Sequence, residues 1–230
     1  MKIGILVIAT GQYIKYVGSL FGSITSNFLR RGGHHVTFFV FTDQPIGSNR
    51  LVRIEQPHLP WPGPTLQRYG IFSRNRAQLE GMDYLYYLDA DMVVINTVGD
   101  EILGELVGTV HPGFYDKERV RFPYERNPLS TACVQTHEGQ HYFAGGFNGG
   151  RASTFLGMCD VLAKRIEADA KNGITAVWHD ESHLNRYFID TPPSVVLSPA
   201  YCYPQAKWAA NLPYRRIIVA LDKRHDLVRR

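Results

Sequence analysis

The chain opens on an uninterrupted apolar run, Ile3 to Ala9, that stops at Thr10-Gly11. A run without alternation predicts a parallel strand buried on both faces. Val17, Leu20, Phe21, Ile24, Phe28 and Leu29 then recur at helical spacing, predicting a helix over about 15–31 that ends at Gly32-Gly33. Val36 to Thr42 reads as a second strand. Strand, helix, strand is the start of an open α/β sheet. Pro45, Pro57, Pro60, Pro62 and Pro64 break the next stretch, leaving loop with one short strand near 51–54. A helix over about 66–80 follows, then a strong strand, Tyr84 to Leu88, and extended chain at Met92 to Ile95. Leu106 to Val110 is another strand, 112–140 is irregular, and Tyr142 to Phe147 predicts a strand ending in Gly149-Gly150. Phe155, Met158, Val161, Leu162 and Ile166 give one face of a helix over about 152–171, and a short helix is expected near 180–187. No internal repeat, low-complexity stretch or dividing linker interrupts 1–230, so one domain is expected.

Composition adds boundaries. With 230 residues, 44% hydrophobic and 20% charged, the chain is ordinary globular protein. A net charge of +4 suits an anionic small molecule, whereas nucleic-acid binding calls for a denser basic stripe. Much of the excess sits in Lys223, Arg224, Arg229 and Arg230, a cluster that by itself reads as a solvated tail. Cys133, Cys159 and Cys202 are odd in number and lack CxxC spacing, which argues against a disulfide framework or structural zinc. A reducing compartment is the simple reading. The first apolar run is far shorter than the roughly 20 residues a membrane helix needs, and no cleavage pattern follows it. The expectation is a soluble, cytoplasmic protein.

Two segments carry chemistry. Leu88-Asp89-Ala90-Asp91-Met92 leaves the end of an apolar strand, where open α/β sheets bind ligands. Two carboxylates one residue apart can share a hard divalent cation, which would neutralise a departing diphosphate. Alone, the pair is also compatible with a solvated turn. The second segment is Trp178-His179-Asp180-Glu181-Ser182-His183. It reads as a helix start, with Asp180 as N-cap and Glu181 in the first turn. It also reads as a zinc pair, His179 and His183, though without HExxH order. A third reading is a catalytic carboxylate, Glu181, beside an indole on which a sugar can stack.

These segments resemble glycosyltransferase family 6, which contains the histo-blood-group A and B transferases and the α-1,3-galactosyltransferases. The matching strings are Val40-Phe-Thr-Asp-Gln-Pro45, Asp83-Tyr-Leu with Asp89-Ala-Asp-Met92, Val98-Gly99 with Glu101-Ile-Leu103, and Gly108-Thr-Val-His-Pro-Gly-Phe-Tyr115. They continue through Tyr124-Glu-Arg126, Gly145-Gly-Phe-Asn-Gly-Gly150, Asn172-Gly173, Ala176-Val-Trp-His-Asp-Glu-Ser-His-Leu-Asn185 and Leu197-Ser-Pro199. The resemblance implies a GT-A fold: a Rossmann-like, nucleotide-binding mixed α/β sheet flanked by helices. It implies retaining transfer of galactose or N-acetylgalactosamine from a UDP-sugar, in α-1,3 linkage, to a galactoside-type glycan acceptor. By the same resemblance Asp89 and Asp91, with Ala90 between them, hold Mn²⁺ (or Mg²⁺) on the diphosphate, and Glu181 lies beneath the anomeric carbon. Asp180 and Arg76 match donor-sugar positions, Tyr16 a uracil-packing residue, His111 and Trp178 acceptor positions, and Lys223 and Arg229 the C-terminal pair that closes over the diphosphate.

Departures narrow the expectation. No anchor or stem pattern is read in these 230 residues, so the expectation is a bare catalytic domain of microbial or viral type. The segment between Arg76 and Asp83 is shorter than in vertebrate members, and Gly11 to Tyr13 match poorly. Pro123 and Pro204 stand where the blood-group enzymes have polar acceptor contacts, so a fucosylated acceptor does not follow. By the same resemblance donor choice hangs on Ala144-Gly145-Gly146: an acetamido group at C2 needs space that a larger side chain would fill, and glycine at 146 resembles the GalNAc-using members, so UDP-GalNAc is expected over UDP-galactose. The alternatives are a UDP-galactose-specific α-1,3-galactosyltransferase of the same family and a DxD-type nucleotide-sugar diphosphate hydrolase.

Overall fold

A computed structural model describes residues 1–29 and 32–223 of the chain. In chain order the elements are β1 (Lys2–Ile8), α1 (Ile14–Asn27), β2 (His35–Thr42), β3 (Val52–Glu55), α2 (Gly63–Leu66), α3 (Arg68–Arg74), α4 (Arg76–Leu79), β4 (Tyr84–Leu88), β5 (Met92–Val94) and β6 (Leu106–Val110). They continue with β7 (Phe143–Arg151), α5 (Ala152–Lys171), α6 (Asp180–Asp190), β8 (Val195–Leu197), β9 (Tyr203–Pro204) and β10 (Ile218–Ala220). The main sheet is seven-stranded, in the order β3-β2-β1-β4-β7-β6-β8. β3, β2, β1 and β4 are mutually parallel. β7 runs antiparallel to both of its neighbours, and β8 is parallel to β6. A smaller sheet, β5-β10-β9, stands beside it. This is a mixed α/β sheet flanked by helices, consistent with the GT-A-like fold that the sequence implies.

The continuous apolar run of β1 follows from burial on both faces. Ile3, Ile5 and Val7 pack with Val17, Leu20 and Ile24 of α1 and with Phe28. Leu6 and Ile8 face Tyr69 and Phe72 of α3 and Phe155 and Leu162 of α5. Alternate residues of a strand point to opposite faces, so neither face tolerates a polar side chain. Among the described residues no helix is long and apolar enough to cross a membrane.

Four expectations change. The first helix ends at Asn27, not at Gly32-Gly33: Phe28 turns extended (φ −104°, ψ 120°), is buried against Tyr86 and Phe147, and bridges to Val98. Burying that ring and pairing its backbone outweigh one more helical turn. The helix over 66–80 is instead three short helices, interrupted at Gln67 and at Asn75 (φ −102°, ψ 19°). The strand begun near Tyr142 does not stop before Gly149-Gly150; β7 runs through both. A Cβ on Gly149 would lie 2.3 Å from the Leu85 carbonyl oxygen, and one on Gly150 2.3 Å from that of Glu105. These glycines let neighbouring backbones approach rather than end the strand. Strands β8, β9 and β10 fall where no strand was expected.

Candidate active site

β4 ends at the carboxyl edge of the parallel strands, and the chain turns there through Asp89-Ala90-Asp91. The turn is pinned from two sides. The Asp89 N–H donates to the Gly146 carbonyl of β7 (3.0 Å), and the Asp91 carbonyl accepts from the Leu221 N–H (2.9 Å). Ala90 and both aspartates line a cleft.

The opposite wall is the first turn of α6. His179 sits at φ +54°, and helix begins at Asp180. Asn185, one turn further on, stitches α6 onto β7: it accepts from the Phe143 N–H (2.8 Å) and donates to the Phe143 and Glu181 carbonyls (2.9 Å each). That clamp holds Glu181 over Gly145. The Glu181 carboxylate accepts from the Gly145 N–H (2.7 Å) and the Tyr142 hydroxyl (2.8 Å). Burial pushes its pKa up to about 7, opposed by those two hydrogen bonds. Burial likewise raises Asp180 to about 6, against the attraction of Arg68.

Arg68 ties the two walls together. It is 6% exposed, and its Nη1 donates to the Gly145 carbonyl at 2.8 Å. Nη2 reaches Asp89 Oδ1 at 3.3 Å, and the guanidinium lies 4.1 Å above the Tyr87 ring. Nη1 also stands 3.0 Å from Asp180 Oδ2, but not aligned as a hydrogen bond, so that buried oxygen keeps its accepting capacity. Burial works against the Arg68 charge, yet Asp180, Tyr87 and Asp89 more than offset it and hold it protonated. Tyr87 donates to Asp89 Oδ1 (2.5 Å).

Lys223 comes from the C-terminal end and forms a short ion pair with Asp91, its ammonium 5.2 Å from the Tyr13 ring. Burial and the Asp89 charge raise the Asp91 pKa, and Lys223 opposes them. Two hard carboxylates opening on the cleft, one already carrying a cation, suit Mn²⁺ or Mg²⁺ only if a ligand brings further oxygens. The described residues contain no group of three or more His, Cys, Asp or Glu able to hold a metal unaided. The two histidines of the zinc reading diverge: His183 is buried 3.7 Å from Asp169, while His179 meets Trp61 with ring centroids 5.6 Å apart.

The cleft comprises two cavities. Tyr13, His58, Trp61, Arg68, Trp178 and Asp180 line the first. His111, Ala144, Cys202 and Pro204 line the second. Asp89, Asp91, Gly146, Glu181 and Lys223 belong to both. Trp178 stands at the rim, 50% exposed. His111 is held neutral by burial, its pKa lowered to about 4, and its Nδ1 accepts from the Gly113 N–H (3.0 Å).

Two sequence-derived residues are not brought together with the rest. Arg76 is 37% exposed in its side chain and engages Asp160 at 2.5 Å, outside the cleft; Arg68 takes the position between the carboxylates. Tyr16 packs half-buried on the core, 6.2 Å from Tyr13, and it is Tyr13 that lines the cavity. Arg229 lies outside the described residues. Sequence reasoning also passed over Tyr142 and the His58–Thr65 stretch.

The model of "Glycosyltransferase family 6" matches residues 1–230. The chain is 39% identical to human (Homo sapiens) globoside alpha-1,3-N-acetylgalactosaminyltransferase 1 over 219 residues, covering 90% of this chain and 62% of that protein. It is 37% identical to histo-blood group ABO system transferase 1 of Rattus norvegicus, over 99% of this chain and 68% of that one. It is 28% identical to the O-antigen biosynthesis glycosyltransferase WbnI of Escherichia coli, over 98% and 97%. The chain thus spans less than two thirds of the length of the globoside relatives. It belongs to glycosyltransferase family 6, a family of hexosyl-transferring enzymes.

Proposed function

We propose that the chain transfers N-acetylgalactosamine from UDP-GalNAc, with retention and in α-1,3 linkage, to a galactoside-type glycan, assisted by Mn²⁺ or Mg²⁺. The observation that carries this reading is that two cavities meet at one set of residues: Asp89, Asp91 and Lys223 on one side, Glu181 on the other. A sugar–phosphate bond lying across that junction has its diphosphate at the aspartates and its anomeric carbon at the glutamate.

Four carboxylates (Asp89, Asp91, Asp180, Glu181) line the first cavity against two strong cations, Arg68 and Lys223. A diphosphate enters that field favourably only with added positive charge. Asp89 and Asp91 would hold a divalent cation, which when bound neutralises the charge that develops on the departing UDP. Lys223, paired with Asp91, would also meet the diphosphate oxygens. Asp180 Oδ2, buried and free to accept, would take a donor-sugar hydroxyl. Glu181, held by Gly145 and Tyr142, would face the anomeric carbon as nucleophile or as a charge stabilising an oxocarbenium-like state. His111 in the second cavity and Trp178 at the rim would meet the acceptor.

GalNAc is preferred because of Gly146. A Cβ there would come within 2.5 Å of Met92 Cε, 3.1 Å of Asp89 Oδ2 and 3.4 Å of Cys202 Sγ, filling space beside the aspartate turn. The globoside relatives are named for the same sugar.

The test is transfer from UDP-GalNAc and UDP-galactose to plain and fucosylated β-galactosides, with Mn²⁺ and with EDTA, and product linkage by NMR. An α-linked GalNAc product that EDTA suppresses is expected. Release of sugar to water alone, with every acceptor, would favour the hydrolase instead.

A further inference from the structure

Tyr142 precedes β7 and is 1% exposed. Its ring is caged by His111 (centroids 5.7 Å apart), Phe114 (5.1 Å), Phe122 (6.3 Å) and Tyr124 (5.5 Å), and its carbonyl accepts from the His111 N–H (2.8 Å). A ring so enclosed cannot swing its hydroxyl elsewhere. Among the described residues the hydroxyl has one partner, Glu181 Oε1, at 2.8 Å. The other carboxylate oxygen is held by the Gly145 N–H. Both donors come from one short segment of chain, 142–145.

We infer that Tyr142 is a positioning residue for sugar transfer: its hydroxyl fixes the Glu181 carboxylate in the orientation that faces the junction of the two cavities and favours its ionised form. The inference rests on the reading of Glu181 given above. The physical reason is that a buried carboxylate keeps its charge only where hydrogen-bond donors are preorganised around it. Gly145 supplies one such donor through backbone, which substitution does not remove. Tyr142 supplies the other through a side chain, and so it is the adjustable one. The remaining titratable groups around Glu181 are Asp180 on its own helix, Arg68 and Tyr69 on α3, Asp89 and Asp91 on the β4 turn, His111 after β6, Cys202, and Lys223. None of them donates a hydrogen bond to the Glu181 carboxylate among the described residues. The cage also links this carboxylate to His111, so the group under the donor sugar and the acceptor-side cavity share one rigid aromatic unit.

The test compares wild type, Tyr142→Phe and Glu181→Gln, measuring kcat, KM for the UDP-sugar, and kcat/KM from pH 5.5 to 8.5. In Tyr142→Phe, KM should stay within about twofold, since no donor contact is removed. The acid limb of kcat/KM should move up by about one pH unit, a lost hydrogen bond to a charged group being worth that much. The rate at pH 6 then falls about tenfold more than the rate at pH 8.5. A uniform loss at all pH values, or a wild-type profile, with Glu181→Gln inactive, would overturn the role of Tyr142 alone. Full turnover in Glu181→Gln would overturn the parent reading and this one with it. Should Tyr142→Phe not fold, 3-fluorotyrosine at position 142 keeps the shape and strengthens the donor; the limb must then move down, and an unmoved limb refutes the inference.

Discussion

Glu181→Gln should raise the stability of the fold at alkaline pH and leave it nearly unchanged in acid. Glu181 is buried, and its pKa rises from 4.5 to about 7 because burial penalises the charged form by more than Gly145 and Tyr142 recover. A folded-state pKa above the unfolded value means that the folded protein holds the proton more tightly. The stability linked to this group is therefore fully present below about pH 4.5 and lost as the pH rises through about 7. At 1.36 kcal/mol per pKa unit, the loss is about 3 kcal/mol by pH 8. Glutamine is the isostere of the neutral acid and cannot ionise, so it avoids this loss. Relative to wild type, the variant should be within about 1 kcal/mol at pH 5 and about 3 kcal/mol more stable at pH 8. For a chain of this size that is roughly 6–12 °C in Tm. The assay is thermal unfolding of both proteins at half-unit pH steps without ligand, read as the difference in Tm. Common titrations cancel in that difference. A difference that stays flat between pH 5 and 8 would refute the claim that Glu181 is held in a charge-hostile pocket. The same variant should lose transfer while binding UDP, so stability and activity would move in opposite directions at one residue.

Arg68→Met should destabilise the fold by about 3–5 kcal/mol, because it leaves Asp89 and Asp180 without their buried cation. Arg76→Met, which breaks only a partly exposed pair with Asp160, should stay within about 1 kcal/mol. Parallel melts at pH 7.5 decide this, and equal losses would contradict the assignment of Arg68 to the cleft. Asp91→Asn should remove Mn²⁺-stimulated turnover, cutting the rate about 100-fold or more; calorimetric titration of UDP with Mn²⁺ should show the loss independently of catalysis. Gly146→Ala should shift the UDP-GalNAc to UDP-galactose rate ratio toward galactose, since its methyl presses on Met92 and Asp89; an unchanged ratio would separate donor choice from this position.

The parts of the fold that could be read from the sequence are those whose environment is uniform. The central stretches of β1 and β2 (Ile3–Ile8 and Phe38–Phe41) and all of β4 are apolar without alternation because helices cover both faces, and α5 shows one clean stripe over twenty residues. The parts that escaped depend on partners distant in sequence. Asn148, Gly149 and Gly150 have poor strand propensity, yet β7 continues through all three. It does so because Leu85 and Glu105 crowd the two glycines so closely that no side chain fits. β10 spans three residues, Ile218–Ala220, and is a strand only because β5 and β9 flank it. Neither fact has a local signature.

The site divides in the same way. Asp89, Asp91, Asp180 and Glu181 were legible because each pair marks an element boundary, the end of a strand or the start of a helix, where polar groups converge by geometry. Their partners were not. Arg68, Phe72 and Arg76 are spaced i, i+4, i+8, so both arginines share a face with the same buried phenylalanine, and periodicity ranks them equally. What separates them is the interruption at Asn75 and the position of β7, which presents the Gly145 carbonyl to Arg68 and leaves Arg76 to Asp160. Tyr142 was hidden for a related reason: as an aromatic beside a strand it reads as core, and its ring is core. Only its hydroxyl belongs to the site, and a single polar atom on an apolar side chain leaves no trace in a hydropathy pattern. A carboxylate in such a site can be found from its own neighbours in sequence. The donors that make it usable are found only by asking, for each buried charge, which group satisfies it.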